Sequence, residues 1–300
     1  MPTELALYSD RLFMAALAVY VLAMVLHAVE MAAVRSAAPA LVGAGGPQTP
    51  GERPRSDRFG RMAVSLTVLG VLLHAASIVG RGLAAGRWPL GNMYEFISAI
   101  CLFAVGAWLV VLYRAKGVRT VGPFVLVPVA ILMIVALRGV YTDVAPVQPA
   151  LQSYWLVIHV TTISISSGLL LVPGVASLLF LLCRSGRLPA FADRLPAADA
   201  LDRLAYRVTI VAFPLFTFAV ITGAIWAEAA WGRFWGWDPK ETVAFVSWVV
   251  YAAYLHARAT AGWRAERAAW INVAGFATMV FNLFFINLVV AGLHSYAGVG

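Results

Sequence analysis

A chain of 300 residues with 62% hydrophobic side chains, only 12% charged ones and a mean hydropathy of +0.84 is too apolar for a soluble globular domain and reads as a polytopic membrane protein. The net charge of +8 does not indicate a nucleic-acid partner. No motif for one accompanies it, and the basic residues follow a topological pattern that explains the charge.

Segments able to cross about 30 Å of hydrocarbon are expected at 12–34, 62–83, 93–113, 122–137, 152–183, 208–229, 242–258 and 268–292. The fold class is therefore all-α, with about eight transmembrane helices in a single membrane domain over 1–300. The first segment is a full span with no small-residue cleavage site behind it, so it reads as an anchor and not as a cleaved signal. Residues 35–61 are Pro/Gly-rich and polar and read as a flexible cytoplasmic linker. The fourth and seventh spans are short, and the fifth carries Pro173 and Gly174, where a helix can tilt or kink. No internal repeat is visible.

Lys and Arg accumulate in short cytoplasmic loops. With the N-terminus outside, 16 of the 22 basic residues fall inside; only Arg11, Arg81, Arg87, Arg138, Arg233 and Lys240 fall outside. Both termini and the loop at 230–241 are then expected on the extracytoplasmic face of a multi-pass protein of the cell (cytoplasmic or inner) membrane, with membrane lipid around it. Cys101 and Cys183 lie in separate spans at different depths, and with neither CxxC nor CxxCH the chain offers no thiol–disulfide or covalent heme motif of its own.

The segment WGRFWGWDPKE, Trp231 to Glu241, packs three tryptophans with two glycines and an aspartate. The indole faces of Trp231, Trp235 and Trp237 suit a large planar ligand, and Gly232 and Gly236 permit close backbone approach. Arg233 or Lys240 would pair acidic groups of such a ligand. Asp238 would orient an indole or a histidine, or cap a helix with Pro239 at the first position. An interfacial aromatic belt is the plainer reading of the same residues. The outer loop Arg87–Glu95 either lines this site or caps the third span, and Tyr141, Asp143 and Gln152 read as solvated or headgroup-facing.

Five histidines divide by depth. His159, near the outer start of the fifth span, and His294, just past the eighth, flank the Trp-rich loop and would clasp a heme iron from opposite sides; taken singly, each reads as a structural histidine. His256 lies about 21 Å from the outer surface, at about 1.5 Å per residue. His27 reaches a similar depth and His74 lies nearer the middle, so either, or a partner's histidine, would complete an inner site with His256. No span carries two histidines, which argues against a transmembrane electron-transfer cytochrome.

WGRFWGWDPKE, its continuation WVVYAAYLH (Trp248 to His256), PLGNMYEF (Pro89 to Phe96), LQSYWLVIH (Leu151 to His159) and GLHSYAG (Gly292 to Gly298) together resemble the CcsA/ResC family, labelled CcsB in some lineages, of system II cytochrome c biogenesis, with its Trp-rich WWD domain. The resemblance implies a component of a heme-attachment complex. Such a protein carries non-covalent heme b outward and, with a CcsB/ResB-type membrane companion, presents it to the CxxCH thiols of apocytochrome c. It assigns His159 and His294 to the outer iron and His256 to an inner one, and assigns no role to His27 or His74. A heme exporter or chaperone without ligation activity is the alternative, and a quinone-linked oxidoreductase is the remoter one.

Overall fold

The computed structural model describes residues 2–33, 55–147, 152–287, 289–290 and 292–294. In hydrocarbon, a chain must satisfy its backbone N–H and C=O groups internally, and the apolar runs do so as helices, with no strand among the described residues. In order these are α1 (Pro2–Ala33), α2 (Arg55–Ala85), α3 (Met93–Arg114), α4 (Gly122–Gly139), α5 (Tyr154–Arg184), the short α6 (Pro189–Ala192), α7 (Ala198–Trp231), α8 (Pro239–Ala259) and α9 (Ala265–Phe281). A 3₁₀ turn (Lys116–Val121) leads into α4, and a π turn (Asn282–Ile286) prolongs α9.

Among the described residues, seven helices are long and apolar enough to cross a membrane. The chain is thus a multi-pass membrane protein. The eighth helix of membrane length, α8, has 21 residues. It lacks the hydropathy of the others because Lys240, Glu241, Ser247, His256 and Arg258 interrupt it. It packs along α9 and against α7.

Several helices begin before the predicted spans, because hydropathy marks only the part that crosses hydrocarbon and their polar ends find partners. Asp10 of α1 accepts from the Tyr141 hydroxyl at 2.6 Å, Asp57 of α2 from Arg61 and, at 3.0 Å, from Arg119, and Asp202 of α7 from Arg258 at 2.9 Å. Residues 55–61, expected in the linker, therefore form the first turns of α2; residues 34–54 lie outside the described residues.

Helix α5 runs through the middle of the bundle, packed on α3, α7 and α9. It continues unbroken through Pro173 and Gly174. A Cβ at Gly168 would lie 2.7 Å from the α3 backbone, and one at Gly174 would lie 2.5 Å from the Phe276 ring of α9. These small residues let the helices approach closely where lipid supplies no hydrophobic drive. Cys101 is buried in α3, Cys183 is half-buried in α5, and both are free.

Polar networks gather at the two ends of the bundle. At the end bearing the Trp-rich loop, the buried Glu95 carboxylate accepts from Arg81 Nε at 2.8 Å, Arg87 Nη1 at 2.8 Å and the Gly91 N–H at 2.7 Å. This carboxylate moulds residues 86–92 into a fixed rim, and Asn92 caps α3 by accepting from the Glu95 N–H at 2.9 Å. At the opposite end, Glu30 and Asp57 share Arg119, and Arg184 pairs with Glu266.

Candidate functional site

Helix α7 ends at Trp231 because Gly232 takes a left-handed conformation, φ +70°, and its N–H closes on the Glu228 carbonyl at 2.8 Å. Seven residues on, Asp238 starts α8 as an N-cap, with Pro239 at the first helical position and a capping box to Glu241. The Glu241 carboxylate also organises the loop, accepting from the N–H groups of Gly236 at 2.9 Å and Asp238 at 3.1 Å and pairing with Arg233 at 3.3 Å. Trp237, at φ +58°, is the one non-glycine residue with positive φ among the described residues. Its ring is 67% exposed.

Asp238 has a second task. Its Oδ1 accepts from the Leu293 N–H at 2.8 Å and its Oδ2 from His294 Nδ1–H at 2.7 Å. A Cβ at Gly292 would lie 2.8 Å from Oδ1, so the chain turns onto the carboxylate at a residue without one. Burial would raise the Asp238 pKa, but the hydrogen bonds from His294 and Leu293 hold it down at about 2. For His294, burial outweighs the neighbouring carboxylate and lowers the pKa, so the ring is neutral at pH 7. A carboxylate only accepts; Nδ1 therefore carries the proton.

His159 of α5 is set the same way by a different acceptor, donating Nδ1–H to the Ala219 carbonyl of α7 at 2.8 Å. A Cβ at Gly223 would lie 2.7 Å from the imidazole Cε1, so this glycine admits the ring against α7. Trp226, 1% exposed, lies parallel to His159 at 6.1 Å between centroids and 5.8 Å from His294. Trp231 packs edge-on to His294 at 5.1 Å and against Trp226 at 4.7 Å. One buried indole thus touches both imidazoles.

These groups line a cavity of about 440 Å³. His159, Trp226, Trp231, Trp235, Phe234 and His294 meet there, with Lys240, Leu90, Gly91, Asn92, Met93 and Phe96 also in the wall. Two imidazoles, each with Nδ1 held by a fixed acceptor, form the arrangement that outer-sphere hydrogen bonds give to metal-ligating histidines. Among the described residues, no three His, Cys, Asp or Glu side chains converge to hold a bare metal ion. An iron already carried in a macrocycle needs only axial ligands, and the apolar, aromatic lining suits the macrocycle.

Of the residues singled out from the sequence, Trp231, Trp235, Lys240, His159 and His294 come together in the cavity. Trp237 stands outside it, with its ring against Trp235 and Phe245. Arg233 is engaged by Glu241, while Gly232 and Gly236 shape the loop. Asp238 is both cap and histidine partner. For the 87–95 loop, lining the site and capping α3 are alternatives in the sequence; in the structure Asn92 caps α3, and Leu90, Gly91, Asn92 and Met93 line the cavity.

The deeper histidines do not gather. His74 is buried against Ser98 Oγ at 2.9 Å and Tyr20. His27 is buried beside Glu30 and Gly122. His256 is exposed near the end of α8 remote from the Trp-rich loop. Of the inner pairings considered for His256, with His27, with His74 or with a partner's histidine, the structure brings neither of the first two together: α1 packs on α2 and α4, and α2 on α1 and α3, away from α8.

The sequence gives little weight to Ala219, Gly223 and Trp226. The available signal is the spacing of Gly223 and Trp226, three residues apart and hence on one helical face.

The fold and site define a membrane protein with an aromatic cavity at one end, flanked by two tautomer-fixed imidazoles. The profile of the family described as "Cytochrome C assembly protein" matches residues 90–294. The chain belongs to this cytochrome c assembly family, and its place is in cytochrome c biogenesis.

Its relatives include the cytochrome c biogenesis protein CcsA of Synechococcus sp. (strain RCC307), 34% identical over 81% of this chain and 86% of that protein. CcsA of Chlamydomonas reinhardtii is 36% identical over 78% of this chain and 69% of that one. CcsA of Porphyra purpurea is 30% identical over 81% and 89%. Among solved structures, the cytochrome c heme lyase CcmF superposes with a TM-score of 0.66 over 93% of this chain at 17% identity. The likeness shows a shared fold; the chain spans 46% of that protein's length.

Proposed function

We propose that the cavity binds non-covalent heme b at the extracytoplasmic face of the cell membrane, with His159 and His294 as axial ligands, and presents it for attachment to apocytochrome c. The observation that carries this reading is the pair of imidazoles in the wall of one aromatic cavity, each holding Nδ1–H on a fixed acceptor 2.7–2.8 Å away. The CcsA relatives and the heme lyase named above support the biological setting. The basic-residue distribution supports placing the Trp-rich end and both termini outside.

In this reading heme is cargo. Thioether bonds form when cysteine S–H adds across each vinyl group, with no net oxidation. The chain's own residues hold and orient: Asp238 and the Ala219 carbonyl fix the two imidazoles, Trp226 and Trp231 exclude water, and the 86–92 rim closes one side of the cavity. The exposure of His256 on α8 supports a contact there with a CcsB/ResB-type companion.

Absorption spectra and pyridine hemochrome quantitation of the detergent-purified chain, with and without its companion, test the reading. Six-coordinate heme in the wild type, lost or altered in His159→Ala and His294→Ala, is expected. Unchanged heme and cytochrome maturation in both variants would refute the ligand assignment. Maturation of a CxxCH substrate in a host lacking other maturation systems distinguishes attachment from export alone.

A further inference from the structure

We infer that Lys240, and not Arg233, is the residue that receives a carboxylate of the bound macrocycle. This deepens the heme reading and rests on it. Both cations stand in the Trp-rich segment, and the sequence leaves the choice open. Arg233 is committed elsewhere: its guanidinium pairs with Glu241 at 3.3 Å and packs over the Trp231 ring, and it does not line the cavity.

Lys240 does line the cavity, and among the described residues no carboxylate comes within ion-pair distance of its ammonium. Its Nζ donates to the neutral Asn287 Oδ1 and faces the Phe96 ring at 5.7 Å. The two nearest acids in sequence are occupied. Asp238 accepts from Leu293, His294 and the Lys240 backbone N–H, and Glu241 accepts from Gly236, Asp238 and Arg233.

A lysine in this position is costly. It sits in the first turn of α8, where the helix dipole disfavours a cation, and in a wall that is otherwise largely apolar. The structure nevertheless holds it in place. Asn287 also donates to the Asn282 carbonyl at 3.0 Å and the Leu283 carbonyl at 2.8 Å, and Asn282 donates to the Lys240 carbonyl at 3.3 Å. The π turn of α9 brings these amides round to the lysine, as such turns do at functional sites. An ammonium so fixed, with donors to spare, recognises an anionic ligand group, and the propionates are the carboxylates heme carries.

The test compares heme with its dimethyl ester, in which both propionates are blocked. Affinities of the full-length chain in detergent are measured for the wild type, Lys240→Met, Lys240→Arg and Arg233→Gln. Because the ester partitions differently into detergent, the acid-to-ester preference of each variant is read relative to the wild type, as in a double-mutant cycle. Lys240→Met should lower it about tenfold, the scale of one charged hydrogen bond. Lys240→Arg and Arg233→Gln should hold it to within about twofold, by the same scale. Lys240→Gln carries the same comparison if the methionine variant fails to accumulate.

An unchanged preference in Lys240→Met or Lys240→Gln, with His159- and His294-dependent heme binding intact, overturns the lysine assignment alone. A tenfold loss in Arg233→Gln transfers the role to Arg233. A wild-type chain that binds neither ligand overturns the heme reading, and this inference with it.

Discussion

Replacing Asp238 with alanine removes, from one side chain, the N-cap of α8 and the anchor of the segment carrying His294. Loss of a cap costs about 1 kcal/mol, and each hydrogen bond to a charged group is worth about 1.5–3 kcal/mol. The terms do not add fully, because the His294 side chain, 15% exposed, and the Leu293 N–H regain some water once released. A net loss of about 3 kcal/mol, on the order of 100-fold in the docked-to-undocked ratio of residues 292–294, follows.

Amide hydrogen exchange in detergent, without heme, reads this directly: the Leu293 amide should exchange on the order of 100-fold faster in Asp238→Ala. Asp238→Asn keeps a good cap and a neutral acceptor, so its effect on Leu293 should be intermediate. Glu241→Ala should speed exchange at Gly236 and Asp238 while leaving Leu293 protected. If Leu293 exchange and the His294-dependent heme spectrum are both unchanged in Asp238→Ala, the carboxylate does not hold the histidine and the site as described is wrong.

The remaining expectations concern the cavity wall, its rim and acid. Gly223→Ala should push the His159 ring off the Ala219 carbonyl at an overpacking cost of about 1–3 kcal/mol; a wild-type heme spectrum in this variant would refute the close fit. Glu95→Gln takes from the buried Arg81 the nearer of its two carboxylate partners, leaving Asp10 at 3.6 Å, at about 3 kcal/mol, and should lower Tm by about 5 °C; a shift below about 2 °C would show that the rim is held otherwise.

For pH, the lowered pKa of docked His294 means that the undocked segment takes up a proton first as pH falls below the ordinary value of 6.5, so docking weakens in acid. The Asp238 contribution is fully present above its ordinary 3.8 and is lost as pH falls through about 2. Leu293 exchange, corrected for its intrinsic pH dependence, should therefore speed up from pH 7 to 4.5, and in His294→Ala this acid-dependent change should disappear. Equal protection across that range in the wild type would contradict it.

Hydropathy alone separates the spans, and charge asymmetry supports an orientation, because both are sums over local sequence. The D-x-x-E spacing of Asp238 and Glu241 marks the start of α8, since a capping box is made within one turn. The resemblance of five short motifs picks out His159, His294 and the tryptophans before any coordinates. What it leaves undecided is which atoms face the ligand. The proton on His159 is set by a carbonyl 60 residues away and that on His294 by a carboxylate 56 residues away.

The choice of Lys240 over Arg233, the burial of Trp226 and the outward turn of Trp237 likewise depend on which neighbour reaches each side chain first. His27, His74 and His256 show the other side of this. Depth places them within reach of one another, but helix packing sends two into the interior on α1 and α2 and leaves the third on the outer surface of α8. Composition and periodicity determine that the chain crosses the membrane and where its polar punctuation falls, because those are properties of segments. Tautomers, counterions and membership of a cavity are decided only in the folded bundle, because they belong to contacts between segments.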